Sequence, residues 1–221
     1  MIKQLDFLYI ATVASKDADM AFRFHEKMAT TSDSHLVERD EDDFKDLIEN
    51  GYVFGLWIGL GERLVALCYV APSKHDEKSW EIGGMVVDDT LKQRRMGSLL
   101  VRFALAHTIV FQQPWENNQR LIAHVQEGNK DPRRLIDSLG FHYVKKVELA
   151  NPPKSMKRNA EGKVVGDEFE LPPAASKALA SWFHQELDQL MKQLNVEFGL
   201  NPEYDLETLK AALVDIANKY R

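Results

Sequence analysis

The sequence has little of what several chemistries require. One cysteine, Cys68, stands among 221 residues, so no internal disulfide can form and no thiolate cluster can hold zinc. It lies in the apolar run from Leu64 to Ala71, which reads as a buried, inert thiol and suits a reducing, cytoplasmic setting. The histidines, His25, His35, His75, His107, His124, His142 and His184, include no His-x-x-x-His pair, and no metal site is expected. Positive charge is not in excess either. Lys and Arg number 28 against 34 Asp and Glu, a net charge of -6, so neither nucleic acid nor an anionic membrane is an expected partner. Long apolar runs are missing: Met96 to Phe111 holds Arg102 and His107 and falls short of the roughly 20 residues needed to span a bilayer. Phe7 to Ala14 follows Asp6 and runs into Lys16, Asp17 and Asp19, which fits a strand better than a signal core.

What remains is ordinary globular composition, 44% hydrophobic, 10% aromatic and 28% charged. At about 150 residues per domain the length allows one large domain with a small appendage. Leu5 to Ser15 reads as a strand, and Asp17 to Ala29 as an amphipathic helix carrying Met20, Ala21, Phe24 and Met28 on one side. A second helix is expected over Leu36 to Asn50, with the acidic run Glu38 to Asp43 outward and Gly51 ending it. Tyr52 to Leu60, Arg63 to Ala71 and Trp80 to Val87 form a three-stranded meander whose first turn is Gly61-Glu62. The period then changes to that of a helix over Gly97 to Phe111. Arg120 to Gln126 returns as a strand. Asp131 and Pro132 open the next helix, as N-cap and first helical residue, and that helix stops before Gly140. This strand, helix, strand, helix order implies a parallel pair of strands. Phe141 to Ala150 and Gly162 to Leu171 are further strands around a polar loop with Lys154, Lys157 and Arg158. After Pro172-Pro173 the pattern is purely helical, a C-terminal helical hairpin. The expected fold class is therefore α/β, a mixed, mostly antiparallel sheet flanked by helices, with residues 1–171 as the main unit and 172–221 as an extension packed on it or at an oligomer interface such as a homodimer.

The most informative stretch is Glu81 to Leu100, a strand feeding a cationic loop that opens a helix at Gly97. A helix start exposes unpaired N–H groups and the positive end of its dipole, and therefore attracts anions. Lys92, Arg94 and Arg95 add full charges, Gly97 allows an oxygen-rich ligand to approach the backbone, and Ser98 offers a hydroxyl. A pyrophosphate suits such a place. The loop lacks the Gly-Lys-Ser/Thr ending of a P-loop and the three glycines of a dinucleotide fingerprint.

The stretch resembles the acyl-CoA signature of the GNAT superfamily of N-acetyltransferases: Gln or Arg, two residues, Gly, one residue, Gly or Ala. Lys92, Gln93, Arg94, Arg95, Met96 and Gly97 occupy those positions, with Lys92 in place of the first residue and Arg95 in place of the first glycine. Asn129 stands eleven residues before Gly140-Phe141, the family's spacing between its cofactor-contacting Asn and the Gly-Phe that opens the next strand. The match covers roughly residues 5 to 171. It implies acetyl-CoA as cosubstrate, an unidentified amine as acceptor, and direct attack of the amine on the thioester. It also implies a gap between the strands Trp80 to Val87 and Arg120 to Gln126 where pantetheine lies. The backbone of Met85, Val86 and Val87 would polarise the acyl carbonyl. Lys92 to Ser98 would hold pyrophosphate, and Asn129, Pro132 and Ile136 would line the cofactor from the next helix.

Gly83-Gly84 within a strand marks a bulge or a close backbone approach. For attack the amine must lose a proton, and Glu81 is the first candidate base, with Trp80 and Ile82 making its surroundings apolar enough to raise its pKa; His124 is the second. Where many family members carry a tyrosine acid, four residues before the glycine of Gly-Phe, this chain has Ile136; Tyr143 is the candidate substitute. The competing function class is a non-catalytic acyl-CoA-binding or partner-binding module on the same scaffold. The missing tyrosine points toward that class, and Glu81 points toward catalysis. The acidic run Glu38 to Asp43 suggests a cationic acceptor, whereas Lys154, Lys157 and Arg158 suggest the opposite.

Overall fold

A computed structural model describes residues 7–30, 39–59, 63–74, 76–91, 95–149, 158–200 and 205–220. The expected turn Gly61-Glu62, the residues Lys92, Gln93 and Arg94, the segment 31–38 with Leu36 and Glu38, and Lys154 and Lys157 lie outside them.

In chain order the elements are β1 (Phe7–Thr12), α1 (Ala18–Ala29), α2 (Glu41–Glu49), β2 (Val53–Ile58), β3 (Arg63–Pro72), β4 (Ser79–Val87), α3 (Met96–His107), β5 (Arg120–Gln126), α4 (Lys130–Ser138), β6 (His142–Glu148), β7 (Val165–Leu171), α5 (Ser176–Gln185), α6 (Leu187–Leu194), β8 (Glu197–Leu200) and α7 (Leu206–Lys219). The strands make one mixed sheet in the order β6-β7-β5-β4-β3-β2-β1-β8. The neighbours from β1 to β4 pair antiparallel, as do β5 with β7 and β6 with β7; β4 with β5 and β1 with β8 are parallel. The β4–β5 pair is the parallel pair that the strand, helix, strand order requires, because only a crossover through α3 can join them.

Each face is covered as the period-2 and period-3.6 patterns dictate. Ala11, Val13, Val53, Leu67, Tyr69 and Ala71 bury against Ala21 of α1 and Phe44 and Ile48 of α2. The other face, with Ile10, Phe54, Ala66, Cys68, Trp80, Ile82 and Phe169, buries against α3 and the C-terminal helices. Cys68 is fully buried, and burial pushes its thiol well above the usual range.

Three details differ from the sequence expectation. α3 closes at His107 and the chain continues through one π-helical turn, Thr108–Gln112, instead of running as a single helix to Phe111. Asn129, not Asp131, is the residue before α4, and it makes no side-chain capping bond, so Pro132 falls two positions deeper in the first turn than expected. The C-terminal hairpin has α5 and α6 as one arm and α7 as the other, and its connection contains β8, which extends the sheet beside β1. Phe183, Leu187 and Leu213 enter the same core as the strands, which seats α5, α6 and α7 on the sheet.

Candidate active site

β4 has two halves. Ser79, Trp80, Glu81 and Ile82 pair in register with Arg120, Leu121, Ile122 and Ala123 of β5, and there the ladder ends. From Gly83 to Val87 the strand keeps β3 on one side and, among the described residues, has no ladder partner on the β5 side. The parting coincides with a bulge against β3 between Leu67 and Tyr69, and with Gly84 at φ 60, a left-handed conformation that glycine adopts without strain. The close approach expected at the glycine pair is made by Tyr69: a Cβ on Gly83 would lie 2.4 Å from its Oη, and one on Gly84 2.5 Å from its Cε1.

At the edge of the paired half the two candidate bases meet. His124 Nδ1 lies 3.0 Å from Glu81 Oε1, and its Nε2 lies 3.4 Å from Oε2 of Glu168. Ser73 donates its hydroxyl to Glu81 Oε2 at 3.4 Å. Alternation along β5 and β7 places Ile122, His124, Glu168 and Glu170 on one face and Leu121, Ala123 and Phe169 on the other. The same alternation corrects an expectation: Trp80 and Ile82 point into the core on the opposite face, and the Glu81 carboxylate meets Ser73 and His124 beside its apolar register partners Ala71 and Ile122. Arg120 knits the cluster together, reaching Asp76 at 2.9 Å, Glu168 at 3.1 Å and Glu170 at 3.3 Å, while Lys145 stands 3.7 Å from Glu168. Burial lowers the His124 pKa, but hydrogen bonds and charge from Glu81 and then Glu168 outweigh it, and the net displacement is upward. For both ring nitrogens to donate to carboxylates the ring must carry both protons.

Tyr143 does not join this group. It is exposed on the edge strand β6, its ring meets Phe169 with centroids 6.0 Å apart, and its register opposite Phe169 puts it on the other face of the sheet. Ile136 is buried in the core and brings no polar group.

Above the parting, His25 of α1 is 1% exposed, and both its ring nitrogens lack a hydrogen-bond partner among the described residues. Its Nε2 sits 3.7 Å from where a Gly84 Cβ would be, and its ring lies on Phe44. Burial, and then the charge of Arg39, bring its pKa down to about 4. Arg39 covers the Tyr69 ring at 4.2 Å. The acidic run beside it is largely neutralised: Asp40 caps α2, Glu41 pairs with Lys45 and Asp43 with Lys74.

At the start of α3, Arg95 precedes the first helical residue at φ 61, ψ 13. That is the position of the signature's first glycine, and the left-handed backbone persists with an arginine on it, at a cost of about 1–2 kcal/mol. The intrahelical ladder opens with Leu99 N–H donating to Arg95 C=O at 2.9 Å, so Met96, Gly97 and Ser98 supply the first-turn amides. Gly97 acts on packing as well as on approach: a Cβ there would lie 3.2 Å from Met85 Sδ and Val87 Cγ2, so glycine lets α3 sit directly on the free half of β4. Met85 and Val87 are half-buried and Val86 is buried. Ser98 Oγ accepts a hydrogen bond from Arg102, which leaves its own proton available. Among the described residues, no group of histidine, cysteine and carboxylate side chains could hold a metal ion, and no helix is long and apolar enough to cross a membrane.

Residues 19–141 match the model of the acetyltransferase (GNAT) family. The chain belongs to this family. No curated protein matches it. Among solved structures it is similar to the ribosomal-protein-S18-alanine N-acetyltransferase of Escherichia coli (TM-score 0.52, 16% identity, covering 75% of this chain and 93% of that one). It is likewise similar to NAA60 of Arabidopsis thaliana bound to a bisubstrate analogue (TM-score 0.53, 12% identity, 74% and 96%), and to yncA, a putative acetyltransferase of Salmonella typhimurium with its cofactor acetyl-CoA (TM-score 0.53, 12% identity, 75% and 94%). At such identities the likeness establishes the fold.

The sequence reading passed over Glu168, Arg120 and Tyr69. Glu168 and Glu170 could have been found from their spacing of two in the strand Val165–Leu171, which puts both on one face. Arg120 and Tyr69 have no such signal, since their partners lie on other strands.

Proposed function

We propose that this GNAT chain transfers an acetyl group from acetyl-CoA to an amine acceptor by direct attack, with Glu81 taking up the amine proton and His124 as the positioning residue behind it. The observation that carries the reading is the Glu81–His124 contact at the point where β4 and β5 part. The residues present fit acetyl-CoA. The left-handed turn at Arg95 and the amides of Met96, Gly97 and Ser98 make an anion cradle for the diphosphate, with Lys92, Gln93 and Arg94 beside them in sequence. Along the unpaired edge from Met85 to Val87 the amides that point away from β3, Val87 N–H among them, offer donors to a thioester oxygen, whereas Val86 turns its own N–H to Leu67; such preorganised stabilisation is worth about 3–4 kcal/mol. Asn129, at the N-cap of α4, and Pro132, in its first turn, are proposed to meet the cofactor, while Ile136 packs in the core behind them.

His124, held between Glu81 and Glu168 with its pKa displaced upward by both, orients the Glu81 carboxylate through the contact at Nδ1. The acceptor is drawn in as a cation: four carboxylates, Asp76, Glu81, Glu168 and Glu170, face three basic groups, Arg120, Lys145 and His124. With Ile136 in the tyrosine position the thiolate leaves unassisted, as a thiol of pKa near 8.5 can. The C-terminal residues 172–221 are proposed to be an integral extension of the domain 1–171, and the setting is proposed to be cytoplasmic.

The test is free-thiol release from acetyl-CoA with a panel of amines, beside a thermal melt. Turnover with at least one amine and a rise in Tm with acetyl-CoA support the reading. Tight binding without turnover on any amine favours the non-catalytic module, and an unchanged melt sinks both.

A further inference from the structure

A cavity of about 310 Å³ lies between the first turns of α3, the end of α4 and the helices α5 and α6, lined among others by Arg95, Ser98, Arg102, Trp182, Glu186 and Gln189. That volume reaches the lower end of the range of small-molecule sites, about 300–1,000 Å³. Its charge is unbalanced: two guanidiniums face one carboxylate. Arg102 is held flat over the Trp182 ring at 4.9 Å and gives three of its donors to Ser98 O, Ser98 Oγ and Ser138 O. A guanidinium has five, so two remain. Burial depresses the Arg102 pKa; the charge of Glu186 opposes this and the like charge of Arg95 adds to it. Arg95 has no carboxylate within ion-pair distance among the described residues.

The cavity adjoins the α3 start to which the diphosphate of acetyl-CoA is assigned above, and the inference rests on that reading. In acetyl-CoA the diphosphate joins a pantetheine arm to an adenosine bearing a 3′-phosphate. With the arm directed to the β4–β5 gap, the nucleotide end is the part left beside the outer side of α3. We propose that this cavity receives the 3′-phosphorylated nucleotide end, with Arg102 and Arg95 binding its phosphate, so that α5 and α6 complete the cosubstrate site. Trp182, Glu186 and Gln189 lie outside the family-matched residues 19–141, which gives the C-terminal extension a part in binding.

Calorimetric titration of the full chain with CoA and with 3′-dephospho-CoA tests this. CoA is expected to bind about tenfold more tightly or better, the worth of a charge-assisted hydrogen bond. Arg102→Gln should weaken CoA alone and bring the ratio near one. Glu186→Gln, at an exposed position, should tighten CoA a few-fold without changing 3′-dephospho-CoA. Equal affinities in the unmodified chain, a loss on Arg102→Gln shared by both ligands, or a ratio that neither substitution moves would overturn the inference while leaving the acetyl-CoA reading intact. Failure of both ligands to bind would overturn that reading and the inference with it.

Discussion

The two halves of β4 are built from the same strand and do opposite things. Ser79 to Ile82 is a paired strand that buries Trp80 and Ile82 on one face and presents Glu81 on the other, where cross-strand neighbours define its surroundings. Gly83 to Val87 is a strand with one edge free, kinked by Gly84 and covered by Tyr69 and His25. In the first half side chains carry the chemistry and the backbone is fully used by the sheet. In the second the side chains pack and the backbone is what remains to be used. The lesson is that one strand presents both a carboxylate among cross-strand partners and an unpaired backbone edge only if its partner leaves it part-way, and the glycine pair sits where that happens.

The comparison can be broken on either side. The largest effect is expected from Glu81→Gln in the paired half: kcat with the best amine should fall by about 10²- to 10³-fold while the affinity for acetyl-CoA stays as it was. Parallel losses in both would mean that Glu81 only holds the strands together. Next is acid. His25 covers the free half as a neutral ring whose pKa is about 4 in the fold against 6.5 ordinarily. A group that binds its proton less well when folded leaves stability intact above about 6.5 and loses it as pH falls from there toward 4, by about 3 kcal/mol. His107, likewise lowered to about 4 by burial, adds a loss of the same sign. Denaturant midpoints across that window should drop for the unmodified chain and drop less for His25→Phe; identical slopes would show that His25 is not the sensor.

A smaller effect should follow Gly84→Ala, which places a Cβ 2.5 Å from the Tyr69 ring at φ 60. We expect a stability loss of about 1–3 kcal/mol together with weaker acetyl-CoA binding, whereas a loss of stability alone would separate the kink from the cosubstrate. The smallest is Arg95→Gly. Relief of about 1–2 kcal/mol of left-handed strain is offset by about 0.5–1 kcal/mol of extra freedom in the unfolded chain, so Tm should rise by no more than about 6 °C. A fall would mean that the Arg95 side chain contributes packing that outweighs its strain.

Much of the fold was legible because periodicity and punctuation are local. Arg120–Gln126 appears with its expected bounds, the helix after Asp17 ends at Ala29 as expected, and the order of elements required a parallel pair. β8 was not legible, since four residues at an edge give too short a run for alternation to register. At the site, Gly83-Gly84 announced a kink and Gly97 a helix start, both through backbone requirements carried by neighbouring residues. Glu81 and His124 could each be nominated, but their contact spans 43 positions and depends on where β5 runs beside β4. Tyr143 failed as a partner for a related reason: its proximity in sequence to the tyrosine position says nothing of which face its strand presents.

The central claim is that the free half of β4 and the first turn of α3 hold a thioester cosubstrate by their amides. Residue-resolved amide hydrogen exchange on the full chain, with and without acetyl-CoA, reads those groups directly. The account predicts slowed exchange within the segment Met85 to Val87, foremost at Val87 whose N–H faces the free edge, and at Met96 to Ser98 on addition of acetyl-CoA. Unchanged exchange at both segments under saturating acetyl-CoA would contradict it.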